Sequence, residues 1–196
     1  MTEPRAASAA PEPAVRSGAI VSFPLKVLTV AIGLLALAIG VGLLMGGRWR
    51  VERTVVIDAP PSAVFPWLDA PRRWDDWAPL GDVQTTLSGP EHGPGGTRRW
   101  NHPELGDGVF TIVATTPDRE VRYHVEVQGG SLITDGTIAL APASPDRNGT
   151  RVTWEERGDF GHNPLMGYTA RGMDRMQGAQ MEGSLRRLKE KVEASR

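Results

Sequence analysis

The sequence predicts an α+β fold in which an antiparallel sheet lies against one long C-terminal helix, preceded by a single membrane-spanning helix. Three observations predict it. An uninterrupted apolar run, VLTVAIGLLALAIGVGLLM, occupies Val27–Met45. Short segments of alternating apolar and polar residues follow, the later ones separated only by Gly, Pro, Asn and Asp clusters. The chain then closes on Pro164–Ala194, where apolar residues recur at three- and four-residue spacing.

The apolar run holds 19 residues with no charge and only Thr29 polar. At about 1.5 Å per residue it spans about 28 Å, close to a hydrocarbon core, whereas buried helices of soluble proteins carry shorter apolar stretches. A cleavable signal peptide would place a small-x-small site after the run, but the triplet Ala36-Leu37-Ala38 lies inside it. With no Cys in the chain, a lipoprotein anchor is excluded. Residues 1–19, rich in Ala, Pro, Ser and charge, are read as a disordered tail, residues 20–47 as an uncleaved anchor, and residues 49–196 as the folded domain. The expected location is the cell membrane, single-pass. Arg5, Arg16 and Lys26 precede the run and Arg48, Arg50 and Arg53 follow it, so the positive-inside rule favours neither side for the domain. Ala38, Gly42 and Gly46 form a small-xxx-small stripe, but such residues are common in membrane helices and assign no oligomeric state.

Beyond the anchor, Trp49–Asp58 alternates as a strand with Val51, Val55 and Ile57 on one face, and Ala59-Pro60-Pro61 stops it. Pro61 suits a first helical turn, Ser62 can help to cap it, and Val64, Phe65 and Leu68 give that helix an apolar side. A second short turn carries Trp74 and Trp77. Strands are then predicted at Val83–Ser88, Thr97–Asn101, Val109–Thr115, Glu120–Val127, Ser131–Ala141 and Thr150–Arg157. Phe110, Ile112 and Ala114 point to one face, with Val121, Tyr123, Val125 and Val127, then Leu132, Ile138 and Leu140, then Val152 and Trp154. Their neighbours are mostly polar, so the other face meets water. In the last helix Met166, Ala170, Met173, Met176, Met181, Leu185, Leu188 and Val192 form an apolar surface, and the inner face of the sheet is the partner large enough to cover it.

Strand, two short helices, six strands and a long helix is the order of the helix-grip fold. The chain here resembles the START-like superfamily, specifically the SRPBCC or polyketide cyclase/dehydrase family. The resemblance rests on VERTVVIDAPPSAVFPWL, RRWDDWAPL, SGPEHGPGGTRRW followed by GDGVFTIVATTP, and GTRVTWEERGD, and it covers residues 50–194. It implies a sheet gripped around the C-terminal helix without filling the space between, leaving an apolar cavity for a lipid, sterol, polyketide or other hydrophobic ligand. The residues placed on that cavity are Trp77, Trp100, Phe110, Ile112, Tyr123, Trp154, Met173 and Met176. For the tryptophans core packing remains the alternative. Met166, Met173, Met176 and Met181 alternate with Gly167, Gly172, Gly178 and Gly183 in the first part of the last helix, which makes it an adaptable wall. Trp49, next to the anchor, is expected in the interfacial aromatic belt.

Motifs for chemistry are few. His92, His102, His124 and His162 have no metal-ligand spacing, so no metal site is assigned. GPEHGPGGT precedes a strand, not a helix, and reads as a turn and not a phosphate cradle. Asn148-Gly149 reads as a hairpin turn. Asp75-Asp76 reads as a solvated pair with Trp74 or Trp77 packed inward, and Glu156 and Asp159 as rim carboxylates. No catalytic residues and no cofactor are assigned. Residues 50–196 hold 18 Lys plus Arg against 21 Asp plus Glu with no basic cluster, which speaks against nucleic acid as a partner. The expected function is binding or carrying a hydrophobic small molecule at a membrane. The alternatives are a cyclase or dehydratase acting on a polyketide-like substrate, and a protein-interaction module that binds no ligand.

Overall fold

The computed structural model describes residues 22–81, 83–103, 106–144, 147–161 and 163–195. The tail read at residues 1–19 and His162 lie outside them. The chain divides into two compact units, residues 1–39 and residues 40–196.

The first unit holds residues 22–39 of helix α1, Ser22–Met45. Its apolar side chains are exposed around the whole circumference, with Leu25 60%, Leu34 62% and Leu37 63% exposed. A helix apolar on every side finds no partner in water. Pro24–Met45 is the one helix among the described residues long and apolar enough to cross a membrane.

The second unit carries β1 (Arg48–Ile57), α2 (Pro61–Leu68), a 3₁₀ turn at Pro71–Arg73, α3 (Trp74–Trp77), β2 (Thr85–Ser88), β3 (Thr97–Trp100), β4 (Gly108–Thr116), β5 (Glu120–Val127), β6 (Leu132–Ser144), β7 (Arg147–Asp159) and α4 (Pro164–Ala194). The strands form one antiparallel sheet in the order β1-β7-β6-β5-β4-β3-β2. The meander from β2 to β7 is therefore closed by β1, which pairs with β7 from Arg48↔Asp159 to Ile57↔Thr150. Pro164 opens α4 at a position where its missing N–H costs nothing, and the Asn163 side chain accepts from the Leu165 N–H.

Two differences from the sequence reading have local causes. Asn148-Gly149 lies inside β7, near a register shift between Pro142 and Ser144; β6 ends at Ser144 and β7 begins at Arg147. Gly149 is not among the residues with positive φ, which a type I′ Asn-Gly turn requires. Asp75 is not merely solvated. It pairs with the guanidinium of Arg98, which is 2% exposed, while Trp74 and Trp77 on either side point into the core.

The core has a filled half and a hollow half. In the filled half Ile57, Val121, Ile138, Leu140 and Val152 of the sheet meet Val64, Phe65 and Leu68 of α2 and Leu185, Leu188 and Val192 of α4, all buried. Toward the other end the inward positions become small. Gly136 and Thr134 follow Ile138 on β6, and Gly158 follows Glu156 on β7. The middle of α4 covers this end.

Candidate functional site

The hollow half is a cavity of about 590 Å³ between the sheet and the middle of α4, within the size range of small-molecule sites. Its walls are Trp49, Trp100, Phe110, Tyr123, Val125, Val127, Leu132, Thr134, Trp154, Glu156 and Phe160 from the sheet side, and Met173, Gln177, Gln180 and Ser184 from α4. Trp74 and the Ala78–Gly81 segment close it laterally.

Three glycines explain why the space stays open. Trp49, Trp100 and Tyr123 stand directly across the sheet from Gly158, Gly108 and Gly136. A Cβ on Gly158 would lie 2.5 Å from the Trp49 ring, one on Gly108 2.0 Å from the Trp100 ring, and one on Gly136 1.9 Å from Cζ of Tyr123. Each ring therefore folds flat over a bare strand instead of projecting toward α4. Glycine inside a strand marks such a close approach.

The Gly136 contact has a chemical result. Tyr123 on β5 and Glu156 on β7 are separated by β6, and only a glycine between them lets the tyrosine ring cross. Its hydroxyl donates to Oε1 of Glu156 at 2.5 Å and accepts from Nε1 of Trp154 at 2.7 Å. Nε2 of Gln177, from α4, donates to the other carboxylate oxygen at 2.6 Å. Glu156 is 5% exposed, and burial raises its pKa above the ordinary carboxylate range against the two hydrogen bonds that favour the ionised form. Burial, with the neighbouring carboxylate, pushes the Tyr123 hydroxyl well above the usual phenol value.

Because the native state holds its Glu156 proton more tightly than the unfolded chain does, stability should fall as pH rises from the ordinary carboxylate range through the native pKa, then level off. Glu156→Gln, which keeps two hydrogen-bonding atoms once the Gln177 amide reverses, should lose this decline. Urea midpoints measured between pH 4 and 8 should converge at the acid end and favour the Gln variant at pH 8. Parallel curves would show that Glu156 does not titrate anomalously.

Five of the eight residues placed on the cavity by sequence are on its wall: Trp100, Phe110, Tyr123, Trp154 and Met173. The other three are elsewhere. Trp77, fully buried, stands behind the wall with its ring 5.4 Å from Trp154 and its N–H donating to the Trp67 carbonyl. Ile112 is fully buried in the core and not on the cavity wall. Met176 is 68% exposed, because it sits about 140° around α4 from the buried Met181 at 3.6 residues per turn. Met173→Leu should consequently alter ligand affinity, whereas Met176→Leu should leave both affinity and stability within about 0.5 kcal/mol of the parent. Thermal melts with a titrated ligand check both, and equal effects would contradict the assignment.

Sequence reasoning missed Trp49 and the Glu156 group. Trp49 is 8% exposed, folded over Gly158 with its ring 6.0 Å from Phe160, so it belongs to the domain's interior and not to an interfacial belt. Tyr123 and Glu156 do not stand on adjacent strands, so strand alternation alone does not bring them together. Asp159, read with Glu156 as a rim carboxylate, is instead an exposed partner of Arg48. Among the described residues no cluster of His, Asp and Glu could hold a metal.

Solved structures share this fold. Protein CV1439 of Chromobacterium violaceum aligns with a TM-score of 0.53 at 20% identity, over 74% of this chain and 96% of its own. Ara h 8.0201 aligns at 0.54 and 15% identity, over 75% and 99%. A Thermobifida fusca protein solved by NMR aligns at 0.54 and 18% identity, over 73% and 92%. No curated protein sequence matches the chain. The family model described as polyketide cyclase / dehydrase and lipid transport matches residues 48–193, from the first residue of β1 to the last turn of α4, and the chain belongs to that family.

Proposed function

We propose that this protein binds and carries a hydrophobic small molecule, a lipid, polyketide or similar compound, in the cavity beneath α4, while α1 anchors it in a bilayer. The observation that carries this reading is the hollow half of the core, walled by aromatic rings held flat by glycines. Burying about 300 Å² of apolar ligand at about 25 cal/mol per Å² gives about 7 kcal/mol before immobilisation costs, so the walls supply useful affinity without charged contacts. Four tryptophans on the wall provide the assay. Energy transfer from them to diphenylhexatriene, added to the full chain in micelles, should saturate at one probe per chain, and Thr134→Phe, which fills the cavity from β6, should abolish it. Transfer that grows without saturation and is the same in both proteins would reject the reading.

An enzymatic reading has one observation in its favour, the buried Glu156 with its raised pKa next to Tyr123, a carboxyl suited to donating a proton to a bound ligand. Under it, Glu156→Gln would bind ligand and leave it unconverted. Under the carrier reading the bound compound is recovered unchanged from both proteins.

A further inference from the structure

The chain enters the sheet at the hollow half of the core. Trp49, the second residue of β1, is on the cavity wall, while Ile57, the last, is in the filled half. Phe160, also on the wall, donates its backbone N–H to the Gly47 carbonyl at 3.1 Å, so the segment after β7 is tied to the link between α1 and β1.

The C-terminal end of α1, residues 40–45, belongs to the second unit and packs on the start of α4. Gly42 and Gly167 make the contact. A Cβ on Gly42 would lie 2.3 Å from the Pro164 carbonyl oxygen, and one on Gly167 2.4 Å from the Gly42 carbonyl oxygen. Backbones approach this closely only where both helices present small residues. Gly42, a member of the small-xxx-small stripe, is thereby buried within the chain's own fold.

Gly42 precedes Met45, the last residue of the apolar run, by three positions, about 4–5 Å of helix. The start of α4 therefore shares whatever level in a bilayer the end of α1 occupies. The side chains it presents there are apolar and open: Leu165 is 69% exposed, as bare as the leucines of α1, and Tyr168, with its ring beside Gly42, is exposed as well. Arg48, almost fully exposed, follows at the end of the span, where basic residues anchor a helix to headgroups. A stable protein partner requires about 1,200 Å² or more of buried surface, far beyond one leucine and one tyrosine. A bilayer requires only that the two lie at its depth, and an apolar side chain beside a tyrosine suits the boundary between hydrocarbon and headgroups.

Resting on the anchor reading, we infer that the start of α4 is a second membrane contact: Leu165 enters the edge of the hydrocarbon, Tyr168 sits among the headgroups, and the hollow half of the domain, with Phe160 and Met173 on its wall, faces the same bilayer. The cavity then lies beside the membrane from which a lipophilic ligand comes.

The chain has no cysteine, so single-cysteine variants of the full chain can be labelled one position at a time with an environment-sensitive fluorophore and reconstituted in phosphatidylcholine vesicles carrying doxyl-labelled lipid. Leu165, Tyr168 and Met176 are all exposed, so replacing them leaves the core intact. Labels at Leu165→Cys and Tyr168→Cys should shift to shorter wavelength and be quenched by the doxyl lipid. Met176→Cys, on the same face of α4 as Leu165 but about 16 Å farther toward the filled half, should keep the emission of a label in water. Leu34→Cys reports on the anchor itself. Quenching at Leu34 with none at Leu165 and Tyr168, or equal signals at Leu165 and Met176, would overturn the inference and leave the anchor standing. A blue shift at Leu165 that doxyl lipid does not quench and that grows with protein density would mean that a second copy covers this face, and would overturn it too. No quenching at Leu34 would sink both.

Discussion

Replacing Trp154 by alanine is expected to cost about 3–5 kcal/mol, read as a fall in the urea midpoint at constant slope. Trp154 lines the cavity, yet it is 4% exposed and its other face meets Trp77 and Trp74 edge-on at 5.4 and 6.2 Å. Its N–H also fixes the Tyr123 hydroxyl that holds Glu156. The substitution removes the aromatic contacts, enlarges the space beside them and releases a buried polar group at once. A residue that only bordered an empty space would lose much less, so a change below about 1 kcal/mol would mean that the wall is not packed from behind.

Gly136→Val should be comparably damaging, by about 2–5 kcal/mol, although it adds atoms where Trp154→Ala removes them. Any Cβ at this position overlaps the Tyr123 ring. That ring is flanked by Phe110 and Trp74, each with its centroid 4.9 Å away, so the space left to it is the cavity it lines. Displacing it combines an overpacking cost of about 1–3 kcal/mol with about 1–3 kcal/mol for a buried carboxyl that loses its donor. The variant should also lose diphenylhexatriene binding, since the displaced ring enters the cavity. Midpoint and binding both unchanged would show that the tyrosine does not need the glycine.

These two positions also show what the sequence could and could not convey. Strand and helix positions were legible because alternation and three-four spacing record which face each residue turns to the core. Trp154 and Tyr123 were placed inward on that basis, and both are buried. Parity places Glu156 on the same face as Trp154, but parity alone does not say that a carboxyl two strands from a tyrosine will touch it. That contact depends on Gly136, and a glycine reads as a weak spot in a strand until its cross-strand partner is known to be aromatic. The sequences GDGVF, ITDGTIAL and EERGD held all three glycines in view. Their meaning lay in the register, which pairs each with a large ring. Met176 failed differently, because a run of methionines suggests an adaptable wall, but an angular offset puts this one in solvent. Trp49 was assigned by its nearness to the anchor, when its alternation with Val51 already turned it toward the core.

The central claim is that the space under α4 holds a ligand. Native mass spectrometry of the full chain, released from micelles after purification from cells, addresses it most directly. Wild-type protein should retain one small hydrophobic compound per chain through activation energies that strip detergent, and Thr134→Phe should fly bare. A bare chain in both cases, or the same set of loosely held lipids on both, would contradict it.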